Sequence, residues 1–328
     1  MPFNQGSVRP SNSLSTYNYR MNIIVKRRVR HIRSGQTGFT LTELAVVLVI
    51  VALLAVFMMP TSTALLNNQK RELTRQKLKV IDTALTNYVA LNKRLPCPAD
   101  GSVASGSVGA GSEGGRTSGD CTNAQVSGVV PWVAIGISQA DIEDGWYRRI
   151  TYRAAFGLTR DSALDMSWCD PAGTKSVPST TDTSGTAPPG GRCWATCVGS
   201  DLATCTAPSA YIAGKGFDIR DGTGLTMSAA SSTGAAYVLI SHGENGYGAY
   251  DTSGVYIATA AVGVAGDLEA FNINGPAVSV TAAIPTSANT FRDAGFSEGA
   301  VAVYFDDVLV RPSVFSVIQR AQLGPRSH

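Results

Sequence analysis

Few residues in this 328-residue chain have the type and spacing to do chemistry. Gly295-Phe296-Ser297-Glu298-Gly299 has the G-x-S-x-G spacing of a nucleophile elbow, which would make Ser297 an acyl-transfer nucleophile. The elbow needs a strand before the serine, a helix after it, and an acid and a histidine later in the chain. Here a β-type run follows and only His328 comes later, so turn glycines flanking a serine explain the motif better. Gly109-Ala110-Gly111-Ser112-Glu113-Gly114 matches the phosphate-cradling G-x-G-x-x-G, but with no strand before it and no helix after, it reads as a low-complexity loop. His242 is the only histidine of the C-terminal part besides His328, so imidazole acid–base catalysis has almost no raw material. The expectation is a protein that is not an enzyme, with no catalytic residue and no resident cofactor.

Glu43 is a different case. It is the only charged residue in Phe39–Met59, FTLTELAVVLVIVALLAVFMM, and no further charge follows until Lys70. Twenty-one helical residues span about 31 Å, the hydrocarbon thickness of a bilayer. A carboxylate inside such a helix costs about 2.5–3.5 kcal/mol on insertion scales, so its presence requires a reason. The charges divide at the start of this run. Residues 1–38 hold seven basic side chains and no acid, whereas the remainder sets 20 basic against 24 acidic residues, a net −4. By the positive-inside rule the basic segment stays cytoplasmic and everything past about residue 62 lies across the membrane. The whole-chain charge of +3 and mean hydropathy of +0.06 exclude a dedicated nucleic-acid binder and a multi-span membrane protein.

A secretory signal peptide competes with this reading, and Ser62-Thr63-Ala64 would serve as its small-residue cleavage site, releasing a secreted periplasmic or surface binding protein. An ordinary n-region, however, runs straight into its apolar stretch. Here the polar junction Gly35-Gln36-Thr37-Gly38 precedes Phe39, and the acid Glu43 sits inside the helix. In these residues the chain resembles the type IV pilins and type II secretion pseudopilins. Their leader ends in glycine before a phenylalanine, followed by glutamate at the fifth mature position and an uninterrupted apolar run. Gly38, Phe39 and Glu43 match that pattern, and Pro60 falls where many members carry a helix-kinking proline. The resemblance covers about the first 55 residues of the mature chain.

The resemblance implies that a prepilin peptidase cuts after Gly38 on the cytoplasmic face of the bacterial inner membrane and N-methylates Phe39. Glycine suits the cut because it lies extended in a protease cleft without a side-chain clash. The new amine would pair with Glu43 of a neighbouring subunit, a buried carboxylate being tolerable when paired. Glu43 would then set the axial register of assembly. Implied partners are other pilin or pseudopilin subunits, the prepilin peptidase, an inner-membrane assembly platform and membrane lipid; a net charge of −4 argues against nucleic acid. The head would be periplasmic, or extracellular in an assembled filament. Met21 opens an 18-residue leader, MNIIVKRRVRHIRSGQTG, of more usual length than 38.

Four segments result: a basic leader at 1–38 that is removed, a transmembrane and assembly helix at 39–60, an amphipathic periplasmic stem helix at 61–95, and a Gly/Ser-rich, disulfide-containing β head at 96–328. Leu66, Leu73, Val80, Ala84, Leu85, Tyr88 and Leu91 recur at helical steps, with Lys70, Arg71, Arg75, Lys77 and Lys79 between them as a solvated face. Phe39 to about Asn92 would make a rod near 80 Å long, kinked at Pro60 and stopped by Pro96 and Pro98. Residues 101–119 and 174–191 read as Gly/Ser/Thr/Pro loops, and strands are expected at 149–154, 235–241, 255–261 and 299–310. The expected fold is α+β, a long N-terminal helix packed on an antiparallel sheet. A head of roughly 230 residues favours a minor subunit.

Two head segments also resemble pseudopilins. Asp144-Gly145-Trp146 through Tyr152 is similar to the Asp-x-Trp-Gly element that opens their sheet, with the glycine displaced before the tryptophan. Ile240-Ser241-His242-Gly243-Glu244-Asn245-Gly246 is similar to their Ser-x-Gly-x-Asp-Gly turn. Some relatives bind calcium nearby, and Glu244, Asn245 and Asp251 could supply oxygens, the alternative being a tight glycine turn without metal. Cys97, Cys121, Cys169, Cys193, Cys197 and Cys205 all follow the membrane segment, and an even number in an oxidising compartment reads as disulfides. Proximity favours Cys97–Cys121, and the absence of C-x-x-C spacing argues against zinc.

Overall fold

The computed structural model describes residues 40–117, 120–122, 127–167, 216–229, 232, 234–258, 268–273, 290–297 and 304–326, with the side chains of 56–64, 117, 120, 127 and 156 left aside. The chain divides into two compact units, Met1–Val56 and Phe57–His328. Helix α1 runs Leu41–Asn92, its backbone helical through Pro60. It ends at Asn92, where the expected rod ends and three residues before the segment boundary at 95; there Lys93 adopts a left-handed φ of 60° and its N–H returns to the Val89 carbonyl at 2.7 Å. Pro96 and Pro98 then keep the chain extended.

The head is built from short strands. A two-residue ribbon, β1 (Arg116–Thr117) and β2 (Asp120–Cys121), precedes β3 (Ser127–Val129), helix α2 (Trp132–Ile135) and β4 (Thr151–Ala154). Next come β5 (Asp218–Arg220), β6 (Thr226–Ser228), β7 (Tyr237–Ser241), β8 (Thr290–Arg292), β9 (Val308–Val310) and helix α3 (Val314–Arg320). The main sheet is antiparallel in the order β3-β4-β7-β9, and one row crosses it from Val129 through Thr151 and Ile240 to Leu309. Both central strands are buried along their length, β7 with a Tyr-Val-Leu-Ile run and β4 with Thr151 and Tyr152. The architecture is α+β. A smaller sheet, β6-β5-β8, pairs β5 with β8 in parallel, a departure from the wholly antiparallel head expected.

The expected strands at 149–154 and 235–241 appear as β4 and β7. In 255–261 the described part holds only an isolated bridge at Tyr256, and 299–310 contributes β9 at its end. Residues 259–261, 299–303, 118–119 and the tract 174–191 lie outside the described residues. Loop 101–117 is held by close approaches: a Cβ on Gly101 would meet the Tyr250 ring at 2.3 Å. Its centre is Arg149, buried against Trp132, whose guanidinium donates to the carbonyls of Gly101, Val103 and Thr252 and to Ser105 Oγ.

The face that α1 buries is only partly the one expected: Ala84, Leu85 and Tyr88 of the expected stripe are buried, but the rest of that stripe is not. Leu78, Ile81, Leu85 and Val89 join the main core with Tyr152, Tyr237 and Ile240, and Arg71 and Thr74 extend the same stripe. Leu66, Leu73, Val80 and Leu91 are exposed instead. The heptad row 66/73/80 and the buried row 71/74/78/81/85 lie on different sides of a 3.6-residue helix, so the head covers only one of two apolar stripes. The basic cluster is likewise not wholly solvated: Arg71 stacks on the Phe296 ring, and Lys77 Nζ donates to the Ala140 and Glu143 carbonyls.

Candidate functional site

The assembly segment begins at the N-terminus of α1. Thr40 precedes the helix and Glu43 stands three residues on, the Thr-x-x-Glu spacing of a capping box. Glu43 Oε2 accepts from the Thr40 N–H and from Thr40 Oγ1, both at 2.9 Å, and the Glu43 N–H donates to Thr40 Oγ1 at 3.3 Å. Glu43 thus completes the first turn of its own helix, a role readable from the spacing. From Leu41 to Ala55 every side chain is exposed, Leu44, Val47, Leu48, Ile50, Val51 and Leu54 among them. A helix apolar on all sides has no place in water and calls for lipid or neighbouring helices. Among the described residues no helix is long and apolar enough to cross a membrane, because the side chains that complete this run lie outside them. Gly38 and Phe39 also lie outside them; Pro60 lies within α1.

Downstream, the Asp144–Tyr152 element docks the sheet on α1. Asp144 accepts from the N–H groups of Trp146 and Arg148 and from Ser241 Oγ on β7, while burial holds its carboxyl above the ordinary range. Gly145 donates its N–H to Thr74 Oγ1, and a Cβ there would meet the Lys70 carbonyl oxygen at 2.4 Å. The displaced glycine therefore has a reason: backbone must lie directly on helix. Tyr237 Oη and Arg320 both donate to Asp82, tying β7 and α3 to the same helix.

The turn after β7 meets a buried acidic cluster that sequence reading missed. Glu269, Asp306 and Asp307 each bring a carboxylate oxygen to within 4.8 Å of the others. Asp306 Oδ2 accepts from the N–H groups of Glu244 and Asn245 and from Tyr304 Oη. Asp306 donates its own N–H to Glu269 Oε1, and Asn272 Nδ2 donates to Asp307 Oδ2. Burial, with Asp307 and Asp306 nearby, pushes the Glu269 carboxyl up to about 9, and burial also raises Asp307. The adjacent acids of Phe305-Asp306-Asp307-Val308 were the available signal; Glu269, 37 residues earlier, carried none.

His242 sits beside this cluster, its Nε2 3.0 Å from Thr151 Oγ1 and its Nδ1 3.6 Å from Asp307 Oδ1. Hydroxyl, imidazole and carboxylate in that order form the outline of a nucleophilic triad, but Thr151 is fully buried in a central strand, where no substrate can reach it. Ser297, the other nucleophile considered, bridges Phe305 through its backbone, and residues 298–303 lie outside the described residues.

The side chains of the three candidate calcium ligands make different contacts, and Asn245 Nδ2 donates to Glu269 Oε2 of the acidic cluster. Glu244 Oε2 accepts from Asn67 of α1, Asn245 Oδ1 accepts from the Tyr247 N–H, and Asp251 Oδ1 closes its own turn with Ser253 and Val255. Cys97 and Cys121 form a disulfide with Cα atoms 5.6 Å apart; Cys169, Cys193, Cys197 and Cys205 lie outside the described residues.

Comparison with curated proteins and with solved structures finds no match to this chain. Residues 33–59 match the family model described as the prokaryotic N-terminal methylation motif. That interval contains Gly38, Phe39 and Glu43 together with the exposed start of α1. The chain therefore carries at 33–59 the prokaryotic N-terminal methylation motif, the signature of type IV pilins and pseudopilins.

Proposed function

We propose that this chain is a minor type IV pilin or pseudopilin, a non-enzymatic structural subunit of an inner-membrane-anchored filament, either a type IV pilus or a type II secretion pseudopilus. The precursor inserts with residues 1–38 in the cytoplasm, 39–60 in the bilayer and the head in the periplasm. Prepilin peptidase cuts after Gly38 and methylates Phe39. Subunits then assemble through α1 on an inner-membrane platform, and Glu43 exchanges its contact with Thr40 for the Phe39 amine of a neighbour. The observation that carries the reading is the methylation motif falling on a helix whose apolar side chains are exposed all round. The second exposed stripe, Leu66, Leu73 and Val80, supplies a further surface for neighbouring helices.

A helical backbone continuing through Ala64 disfavours signal-peptidase cleavage there, because a scissile segment must be extended. The test is mass spectrometry of the mature N-terminus purified from membranes. N-methylated Phe39 is the expected result. A mature chain starting at Leu65 overturns the proposal and makes the protein a released binding protein.

A further inference from the structure

The acidic cluster poses a local problem of charge. Asp306 and Asp307 are almost wholly buried, and each leaves its Oδ1 without a hydrogen-bond donor. Neither pairs with a lysine or arginine among the described residues, and the one cation-capable group at hand is His242. A buried carboxylate oxygen with neither donor nor counter-charge is costly, and two of them side by side more so. Hydrogen bonds from Glu244, Asn245, Tyr304 and Asn272 all fall on the Oδ2 atoms, turning both Oδ1 atoms away from the donors present.

His242 is the independent observation. It is 1% exposed, its Nε2 is engaged with Thr151, and its Nδ1 has no hydrogen-bond partner although it faces Asp307 Oδ1 at 3.6 Å. If Nδ1 carried the proton, 3.6 Å would be too long for a hydrogen bond. If Nε2 carries it and donates to Thr151, two lone pairs face each other across that gap. Two ligand atoms sharing one cation at about 2.1 Å stand roughly 3.4 Å apart in tetrahedral geometry, close to the 3.6 Å between His242 Nδ1 and Asp307 Oδ1.

We infer that Glu269, Asp306, Asp307 and Nδ1 of His242 form a divalent-cation site of mixed oxygen and nitrogen ligands. The imidazole selects a transition-type ion such as manganese or zinc over calcium, which takes six to eight oxygens. The ion ties together three segments far apart in the chain: the turn after β7, the helical turn at Glu269–Phe271 and the lead into β9. Thr151 serves as the outer partner that orients the imidazole, as metal-bound histidines require. The site is distinct from the surfaces of α1 on which the assembly reading rests, so either can fail without the other.

The test uses the full-length protein in detergent micelles, stripped with EDTA and titrated separately with Mn2+, Zn2+ and Ca2+ by calorimetry, with thermal unfolding of each form. We expect one equivalent of Mn2+ or Zn2+ to bind and to raise the Tm by several degrees. Asp307→Asn should weaken that binding at least a hundredfold and leave the stripped protein no less stable than stripped wild type, since the amide removes a repulsive charge. His242→Gln, which can still bond Thr151, should weaken it at least tenfold and covers the case in which Asp307→Asn does not fold. Stripped wild type that takes up none of the three ions, binding unchanged in His242→Gln, or uptake of Ca2+ alone overturns the inference.

Discussion

Glu113 clamps the end of the long helix through Arg94. Its carboxylate accepts from both terminal guanidinium nitrogens of Arg94, and also from the Cys97 N–H at 2.8 Å and Tyr88 Oη at 3.0 Å. The acid comes from Gly109–Gly114, a segment whose composition reads as featureless loop. It meets the chain where α1 has stopped and the disulfide from Cys97 begins, so helix end, loop and β2 form one unit. Replacing Glu113 by alanine takes from a largely buried Arg94 its closest carboxylate, leaving it the Leu95 carbonyl and Asp161 at 3.6 Å, and should cost about 2–4 kcal/mol in urea unfolding.

The same carboxylate makes stability depend on acid. Burial alone would raise its pKa, but the hydrogen bonds from Arg94 and the Cys97 N–H outweigh this and hold it below the ordinary value. A pKa lower in the folded state contributes stability that is present above the unfolded-state value and lost as pH falls through the folded one. The urea midpoint of wild type should therefore fall further below about pH 4.5 than that of Glu113→Gln. Parallel decline of the two proteins would assign the acid sensitivity to other carboxylates.

The Cys97–Cys121 bridge closes a loop with a sequence separation of 24. In the chain-entropy model it is worth about 3 kcal/mol, in a region where short strands and glycines bury little. The double variant Cys97→Ala/Cys121→Ala should lose about that amount, read from urea midpoints with the other four cysteines left in place.

Gly145 should tolerate no side chain. Alanine there would collide with the Lys70 backbone and force the sheet away from α1, a loss of about 1–3 kcal/mol. Gly295→Ala, which meets nothing within 4 Å, is the control and should change stability by about 0.5 kcal/mol or less. Thermal unfolding of the two variants beside wild type compares them directly.

Glu43 has two roles that substitution can separate. Glu43→Ala removes the capping box, about 1 kcal/mol of local helix stability, and also the charge. Glu43→Gln keeps a capping side chain but loses the charge. If the register of assembly depends on charge pairing, both variants should insert and mature normally, as mass spectrometry of the N-terminus would report, and both should be missing from sheared filaments. Incorporation of Glu43→Gln at wild-type levels would leave capping as the only role.

Much of the plan was legible in the chain. Gly38, Phe39 and Glu43 lie within six residues, so their meaning needs no tertiary contact, and the family match falls on the same residues. The helix end near Asn92 follows from Pro96 and Pro98, β7 from its Tyr-Val-Leu-Ile run and β4 from Ile150, Thr151 and Tyr152, because these are local preferences. The buried face of α1 was legible only in part: Ala84, Leu85 and Tyr88 belong to the expected stripe, whereas Leu78, Ile81 and Val89 do not. Leu66, Leu73 and Val80 are as apolar as Leu78, Ile81 and Val89, and apolarity says that a face is covered without saying by what.

The sequence by itself determined the charge boundary at residue 38, the apolar run with its one glutamate and the α+β plan, since each is set by neighbours a few residues apart. Only the tertiary structure decided which stripe of α1 meets the head, why Gly145 must lack a side chain, and that His242, Glu269, Asp306 and Asp307 come together. Those four lie up to 65 positions apart, and the dehydration that gives their charges meaning arises only when the sheet and its loops close around them.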